Sequence, residues 1–382
     1  MSSSRTLLAL TASALALPGL AHKAKADAAP TVTTVGYRIS AYREDDLDRA
    51  DLLIGSAERY DIDIHQLSVL APVGENHSLN VNASYESMSG ASPWYTIARG
   101  DGSTGVVMSG ATITEERRDI SLTGRRYLDN GTLGLTLAAS HENDYDSISA
   151  GMDAQRHYNN DLTTVATGFS VSSDDMDPTD ATLFNRVTDA SKLSRSVFMS
   201  VTQIIDAASL VQTGLSVTHL SGYLTDPYKF RDRRPESRTQ WAWSTAYRRF
   251  FAGPEAALHA DYRYFHDNFG IDSHTLELNW YQNVGDNLQI IPGIRYYSQS
   301  AADFFTPVSD FLSPGYNSAD YRLSAYGALS TSVKIQWEIE AATLSLSAER
   351  YRSDANMALD KGPESPALVD FRRLTLGIDY SF

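Results

Sequence analysis

Cysteine is missing from all 382 residues. That excludes disulfide staples, thiolate nucleophiles and Cys-ligated metals together. Long apolar runs are scarce as well. After the first two dozen residues nothing approaches the ~18 consecutive apolar positions that a membrane-spanning helix needs. Positive charge is in deficit, with 32 Lys and Arg against 47 Asp and Glu and a formal charge of −15, a balance that argues against nucleic acid as a partner. The chain also has no P-loop, no dinucleotide fingerprint and no Gly-x-Ser-x-Gly, so the common phosphate-binding and esterase signatures are excluded.

What stands at the start sets the compartment. Arg5 precedes an apolar run from Leu7 to Leu17, Pro18 and Gly19 break it, and Ala24-Lys25-Ala26 offers a small-x-small cleavage site. This is the pattern of a secretory signal peptide over residues 1–26, cut before Asp27. Removal of the leader takes away Arg5, Lys23 and Lys25 and leaves a mature charge of −18.

From there the period is two, not 3.6. Leu79, Val81, Ala83 and Tyr85 alternate with Asn80, Asn82, Ser84 and Glu86, and Leu133, Leu135, Leu137 and Ala139 alternate with small or polar residues. Thr239 to Tyr247, Leu258 to His266, Thr343 to Glu349 and the carboxy-terminal LTLGIDYSF repeat the rule. Between them, short connections rich in Gly, Asn, Asp and Pro (72–76, 129–131, 159–161, 253–255, 285–287) carry hairpin chemistry. They alternate with longer, more charged ones at 44–57, 89–112, 174–191, 223–237, 301–319 and 354–367.

This short-long rhythm describes an antiparallel meander of about sixteen strands. The phase slips between Ile64 and Leu67, where a bulge is expected. A soluble sandwich need not alternate its hairpin lengths, and a solenoid would show a fixed repeat. A lipid-facing barrel requires apolar residues outward, a polar interior, short periplasmic turns, longer extracellular loops and aromatic girdles. Tyr85, Trp241, Trp243, Tyr262, Tyr264, Trp280, Tyr296 and Tyr380 occupy the apolar phase as girdles require. The expected fold is therefore all-β: one transmembrane antiparallel β-barrel domain over residues 27–382, in the cell outer membrane. Leu374, Leu376, Ile378, Tyr380 and Phe382 form a last strand that is similar to the signal read by the barrel-assembly machinery.

Six stretches, SGASPW (89–94), SGATI (109–113), ENDYDS (142–147), GYLTDPYKF (222–230), YRYFHDNFGIDSHT (262–275) and RYYSQSAADFF (295–305), together resemble a family of uncharacterised exported bacterial proteins, domain of unknown function 3570. The resemblance runs in order along nearly all of the mature chain. It implies an outer-membrane barrel and brings no assigned catalytic residues. Genes of the family lie near thioredoxin-like and flavin-transferase genes, which implies a periplasmic redox partner.

The polar phase places Asp61, Asp63, Glu86, Asp119, Glu142, Asp153, His259, Asp261, Arg263, Glu277, Arg295, Arg322, Glu349, Arg373 and Asp379 in the lumen. They are expected to pair across strands, in a lumen that mixes Ser, Thr and Gly with charge and does not stack aromatics inward. Loop 89–112 is a possible inward constriction. His266, Asp267, Asp272 and His274 offer metal or base chemistry, but strand parity turns both histidines outward and Asp267 inward. No metal, cofactor or catalytic site is therefore expected. The acidic stretches 43–51 and 172–180 lack calcium-loop spacing. With the basic 231–238 they read as solvated loops that meet lipopolysaccharide phosphates or bridging cations. The expected function is a channel for small solutes or ions. The alternatives are a scaffold or conduit that docks a periplasmic redox or secretion partner and, third, a barrel-borne hydrolase. Expected partners are outer-membrane lipid and lipopolysaccharide.

Overall fold

The computed structural model describes residues 28–109, 113–310 and 312–382; the expected signal peptide lies outside them. Nineteen strands follow one another: β1 (Thr34–Glu44), β2 (Leu52–Ile54), β3 (Asp61–Pro72), β4 (His77–Gly90), β5 (Pro93–Ala98), β6 (Thr104–Met108), β7 (Ile113–Leu128), β8 (Gly131–Glu142), β9 (Tyr145–Tyr158) and β10 (Thr163–Met176). The second half adds β11 (Ala190–Asp206), β12 (Ser209–Gly222), β13 (Ser237–Phe251), β14 (Ala256–Asp267), β15 (Asp272–Val284), β16 (Leu288–Gln299), β17 (Tyr326–Ile339), β18 (Ala342–Asp354) and β19 (Phe371–Ser381).

Sixteen of these close into one antiparallel barrel, in the order β1-β19-β18-β17-β16-β15-β14-β13-β12-β11-β10-β9-β8-β7-β4-β3. β2, β6 and β5 form a separate small sheet. The last strand closes the barrel on the first, with Val35 opposite Tyr380 and Ile39 opposite Leu376. Closure removes the free edges that a sheet of this length would otherwise expose.

Along the wall the outward-facing phase is dominated by apolar side chains that stand open. Leu133, Leu135, Leu137, Phe169, Val197, Met199, Leu374 and Leu376 are all about half exposed, as a lipid-facing surface demands. Near the short turns, Phe251 and Trp280 rings lie 5.6 Å apart and Tyr380 and Phe382 5.9 Å apart, forming one aromatic girdle. Trp241, Trp243, Tyr262 and Tyr264 share the outward face farther along β13 and β14, where Trp243 and Tyr264 are directly opposite. Among the described residues no helix is long and apolar enough to cross a membrane.

All five short connections named from sequence are turns at one end of the barrel. At 159–161 three consecutive residues, Asn159, Asn160 and Asp161, take φ between 52° and 65°, which Asn and Asp tolerate better than most residues. At the opposite end two junctions are also tight, at 142–145 and 267–272; the second contains Asn268-Phe269-Gly270, which the sequence already marks as a very short outer turn. Gly90 has φ of 131°, and a Cβ there would lie 2.2 Å from the Arg59 carbonyl oxygen; only glycine lets β4 leave the wall at that point.

The expected bulge in β3 is absent: its ladders to β1 and β4 run without a register shift. Ile62 and Ile64 face inward because they pack beneath the loops with Tyr42, Tyr60 and Met88. Leu67 and Val69 face lipid. The apolar phase changes sides because the environment changes, and the backbone keeps its register.

Candidate functional site

The inward face below the loops is a set of ion pairs in contact with solvent. Arg38 meets Asp379 at 2.8 Å with 37 % and 29 % of the side chains exposed. Arg248 meets Asp261 at 2.7 Å, and Arg373 meets Glu349 at 2.7 Å. Glu349 also accepts from Ser330 at 2.5 Å. Arg125 on β7 reaches Asp153 on β9 at 2.9 Å, across the intervening β8. The pair passes over Gly134, where a Cβ would sit 2.2 Å from Asp153 Oδ1. Glycine inside this lumen therefore makes room for a bridge across a strand.

Of the residues assigned to the lumen, Glu86 and Asp119 gather around Arg117 at 3.7 and 2.7 Å, and Glu142 lies 3.8 Å from it. His259 stacks near Tyr281 with centroids 4.1 Å apart, and Glu277 accepts from Asn279 at 2.8 Å. Arg263 shares the inward face of β14 with Asp261, while Arg295 stands opposite Glu277. Three assignments are corrected. Asp61 and Asp63 point outward, because they pair with Arg43 on the lipid side at 3.5 and 2.6 Å. Arg322 is not on a strand; it lies on a single 3₁₀ turn, Tyr321–Leu323, in the loop between β16 and β17.

Aromatic side chains do stack inward near the long-loop end, against expectation. Tyr42 and Phe371 rings are 4.7 Å apart, Phe371 and Tyr351 4.6 Å, and Tyr297 and Tyr326 5.6 Å. They support a cap formed by the long loops over the barrel mouth. One cap core joins Leu47, Ala91, Val106, Met108 and Ala367. A second joins Phe269, Ile271, Ala302, Phe305 and Leu323. The loop at 299–326 reaches the one at 90–113, where Ser309 donates to the Thr96 carbonyl at 3.1 Å. Between their strands lie β18, β19, β1 and β3 by the shorter way round, so the contact crosses the mouth. Loop 89–112 is thus one part of the constriction, with 110–112 outside the described residues.

The centre of the cap is ionic. Asp320, fully buried, accepts from Arg322 Nε at 2.8 Å and from Arg234 Nη2 at 2.7 Å, with Lys229 Nζ at 3.9 Å. Arg322 also reaches Asp226 at 2.8 Å, and Arg234 reaches Asp232 at 2.8 Å. Three carboxylates thus face three cations. Burial opposes the charged form of Asp320, yet the fields of Arg322, Lys229 and Arg234 outweigh it and hold this carboxyl far below the usual range. Burial pulls the Lys229 ammonium down and pushes the Asp232 carboxyl up. Tyr321 sits among Arg59, Lys229 and Arg322, each 5.4–6.0 Å from its ring centre; burial and Glu44 push its hydroxyl up to about 12. Sequence reading missed Asp226, Asp232, Arg234 and Asp320. Arg234 and Arg238 of the basic stretch turn into the cap, Arg238 onto buried Asp267. The one available signal was the closeness of acids, bases and aromatics in 226–234 and 320–322.

His266, Asp272 and His274 lie on the outer rim, where His266 meets Asp272 at 3.0 Å and Tyr262 meets His274 at 2.8 Å. Asp267 is inward and fully buried, so the four do not converge. Glu115, Glu142 and Asp144 do converge: their ligand atoms lie within 4.8 Å of one another, all buried at the edge of the cap. Such a set has the oxygen chemistry of a hard-cation site.

The model of the family described as protein of unknown function (DUF3570) matches residues 7–365, and the chain belongs to that family. No curated protein matches it. Among solved structures it is similar to CdiB from Acinetobacter baumannii (8 % identity, TM-score 0.54, 92 % of this chain and 60 % of that one). It is also similar to the siderophore receptor PirA from Pseudomonas aeruginosa (11 %, 0.44, 84 % and 56 %) and to the outer membrane protein opdK from the same species (10 %, 0.43, 92 % and 98 %). The chain spans about three fifths or less of the length of the first two. The fold is that of outer-membrane barrels.

Proposed function

We propose that this member of the DUF3570 family is an outer-membrane channel for small solutes or ions, closed at its external mouth by the loop cap. The observation that carries this reading is a contrast in hydration along the lumen. Inward charges below the cap keep solvent contact, as at Arg38 and Asp379, whereas Asp320 and Asp267 within it are sealed. Sixteen strands also enclose more volume than their own side chains fill. Export by a leader cut before Asp27 belongs to the same reading. Planar-bilayer recording tests it: the intact protein should conduct weakly, and an Asp320→Ala variant that loosens the cap should conduct more. A correctly assembled barrel silent in both forms would defeat the channel. It would favour the second reading, a scaffold or conduit that docks a periplasmic redox or secretion partner at its short-turn end, for which a sealed external mouth is equally suitable.

A further inference from the structure

On the lipid-facing wall, immediately above the apolar belt, three arginines stand in one row across neighbouring strands. Arg350 on β18 is directly opposite Arg372 on β19, and Arg372 is directly opposite Arg43 on β1. All three share the outward face of Leu346, Leu376 and Ile39 respectively, by strand parity. Like charges directly opposite on adjacent strands repel, so this row is not what an unliganded wall would favour. Arg352 lies two residues farther from the membrane on the same face of β18. It is exposed.

The carboxylates nearby satisfy only half of the set. Arg43 is held by Asp61 and Asp63. Arg350 is held bidentately by Asp45, at 2.9 and 2.5 Å, with Asp370 at 3.7 Å. Arg372 reaches Asp45 only at 3.7 Å and keeps 72 % of its side chain in solvent. Among the described residues no carboxylate lies within ion-pair distance of Arg352. A cavity of about 510 Å³ opens here, lined by Glu44, Asp45, Asp46, Arg350, Arg352 and Arg372. Asp45 thus fixes one wall of the cavity, and two forked donors are left to face whatever fills it.

We propose that Arg352 and Arg372, positioned by the Arg350–Asp45 pair, bind a phosphate of lipopolysaccharide in the outer leaflet. The location selects the ligand. The row sits where the acyl chains around Leu346 and Leu376 end and the headgroups begin, and the outer leaflet of a bacterial outer membrane is phosphorylated glycolipid. Planar guanidinium groups bind phosphate through paired N–H donors. The site also lies beside the β1–β19 seam, so a bound lipid braces the closure of the barrel from outside.

The test is lipid retention by the full barrel in detergent, read by native mass spectrometry with bisphosphorylated lipid A as the probe. Arg352→Glu/Arg372→Glu should weaken binding about tenfold or more, as expected for two basic groups at an anionic surface. Arg195→Glu, on the outward face of β11, should leave it unchanged. If the double variant does not assemble, Arg352→Gln alone serves, because that side chain holds no ion pair in the fold; it should weaken binding several-fold. Fully dephosphorylated lipid A should bind the native protein as weakly as it binds the variant. Equal retention by native and variant barrels, equal binding of both lipids, or complete loss of binding in EDTA would each overturn direct recognition of phosphate by arginine.

Discussion

In the lower lumen, Arg38 keeps 37 % of its side chain in solvent while it pairs with Asp379; in the cap, Asp320 is sealed among Arg322, Arg234 and Lys229. Both are Asp–Arg pairs in one chain, yet they answer to different physics. A hydrated pair gains little from its partner and loses little without it. A buried one is held by partners whose own charges become costly when it is removed. The wall is consequently stable through its hydrogen-bonded ladder and lipid contact, and tolerant inside. The cap is a small packed body that depends on charge matching.

The largest expected effect breaks the cap. Asp320→Ala leaves Arg322 and Arg234 without their shared carboxylate and should cost the cap about 3–5 kcal/mol. Faster amide exchange and proteolysis in 299–326 would register it, while heat-modifiable mobility of the barrel stays unchanged. If the loops keep their protection, the ionic centre does not hold them. Acid sharpens the same point. The Asp320 carboxyl is held below its unfolded value, so its contribution is complete above the ordinary carboxylate pKa of ~4 and is lost only as pH falls through the lower folded value. Asp232, shifted upward by burial, acts in the opposite sense and gains as pH falls. Cap protection measured by exchange should therefore persist from pH 7 to about 4; opening well above that range would contradict the assignment.

Next comes the wall's own polarity. Leu135→Arg, on the lipid face, should cost about 2–4 kcal/mol near the midplane, and Thr136→Arg, on the lumen face, much less. Equal penalties in a refolding titration would contradict the facing of β8. Phe382→Asp tests the seam: the residue closes the ring through Thr33, with both backbone bonds at 3.0 Å. A charge there should lower the yield of heat-modifiable barrel in outer-membrane fractions, and full assembly would remove the role given to the last strand. The smallest effect belongs to Arg118–Glu116, exposed on the outer rim. Arg118→Ala should change stability by ~0–1 kcal/mol, and a larger loss would show that rim pairs behave like cap pairs.

The period-two pattern made the wall legible because each strand residue has only two environments, lipid or lumen, and the residue type reports which. That reading failed in β3, where Ile62 and Ile64 are apolar yet inward. It failed again at Asp61 and Asp63, which are charged yet outward. At both places a third environment had entered, the underside of the cap for one and the headgroup level for the other. Apart from Asp61 and Asp63, the candidate lumen residues on strands could be placed by parity alone. Arg322 could not, because a loop carries no parity.

By itself, then, the sequence determined a barrel of about sixteen strands, which connections are short, and the lipid face of most strands, Leu374 to Phe382 included, since these follow from local alternation and turn chemistry. Only the tertiary structure decided that Asp226, Asp320 and Arg322 meet, that 90–113 and 299–326 join across the mouth, and that Arg43, Arg372 and Arg350 fall in one row. Each of these is a contact between segments far apart in the chain, set by barrel closure and register. Local pattern holds no record of such distances.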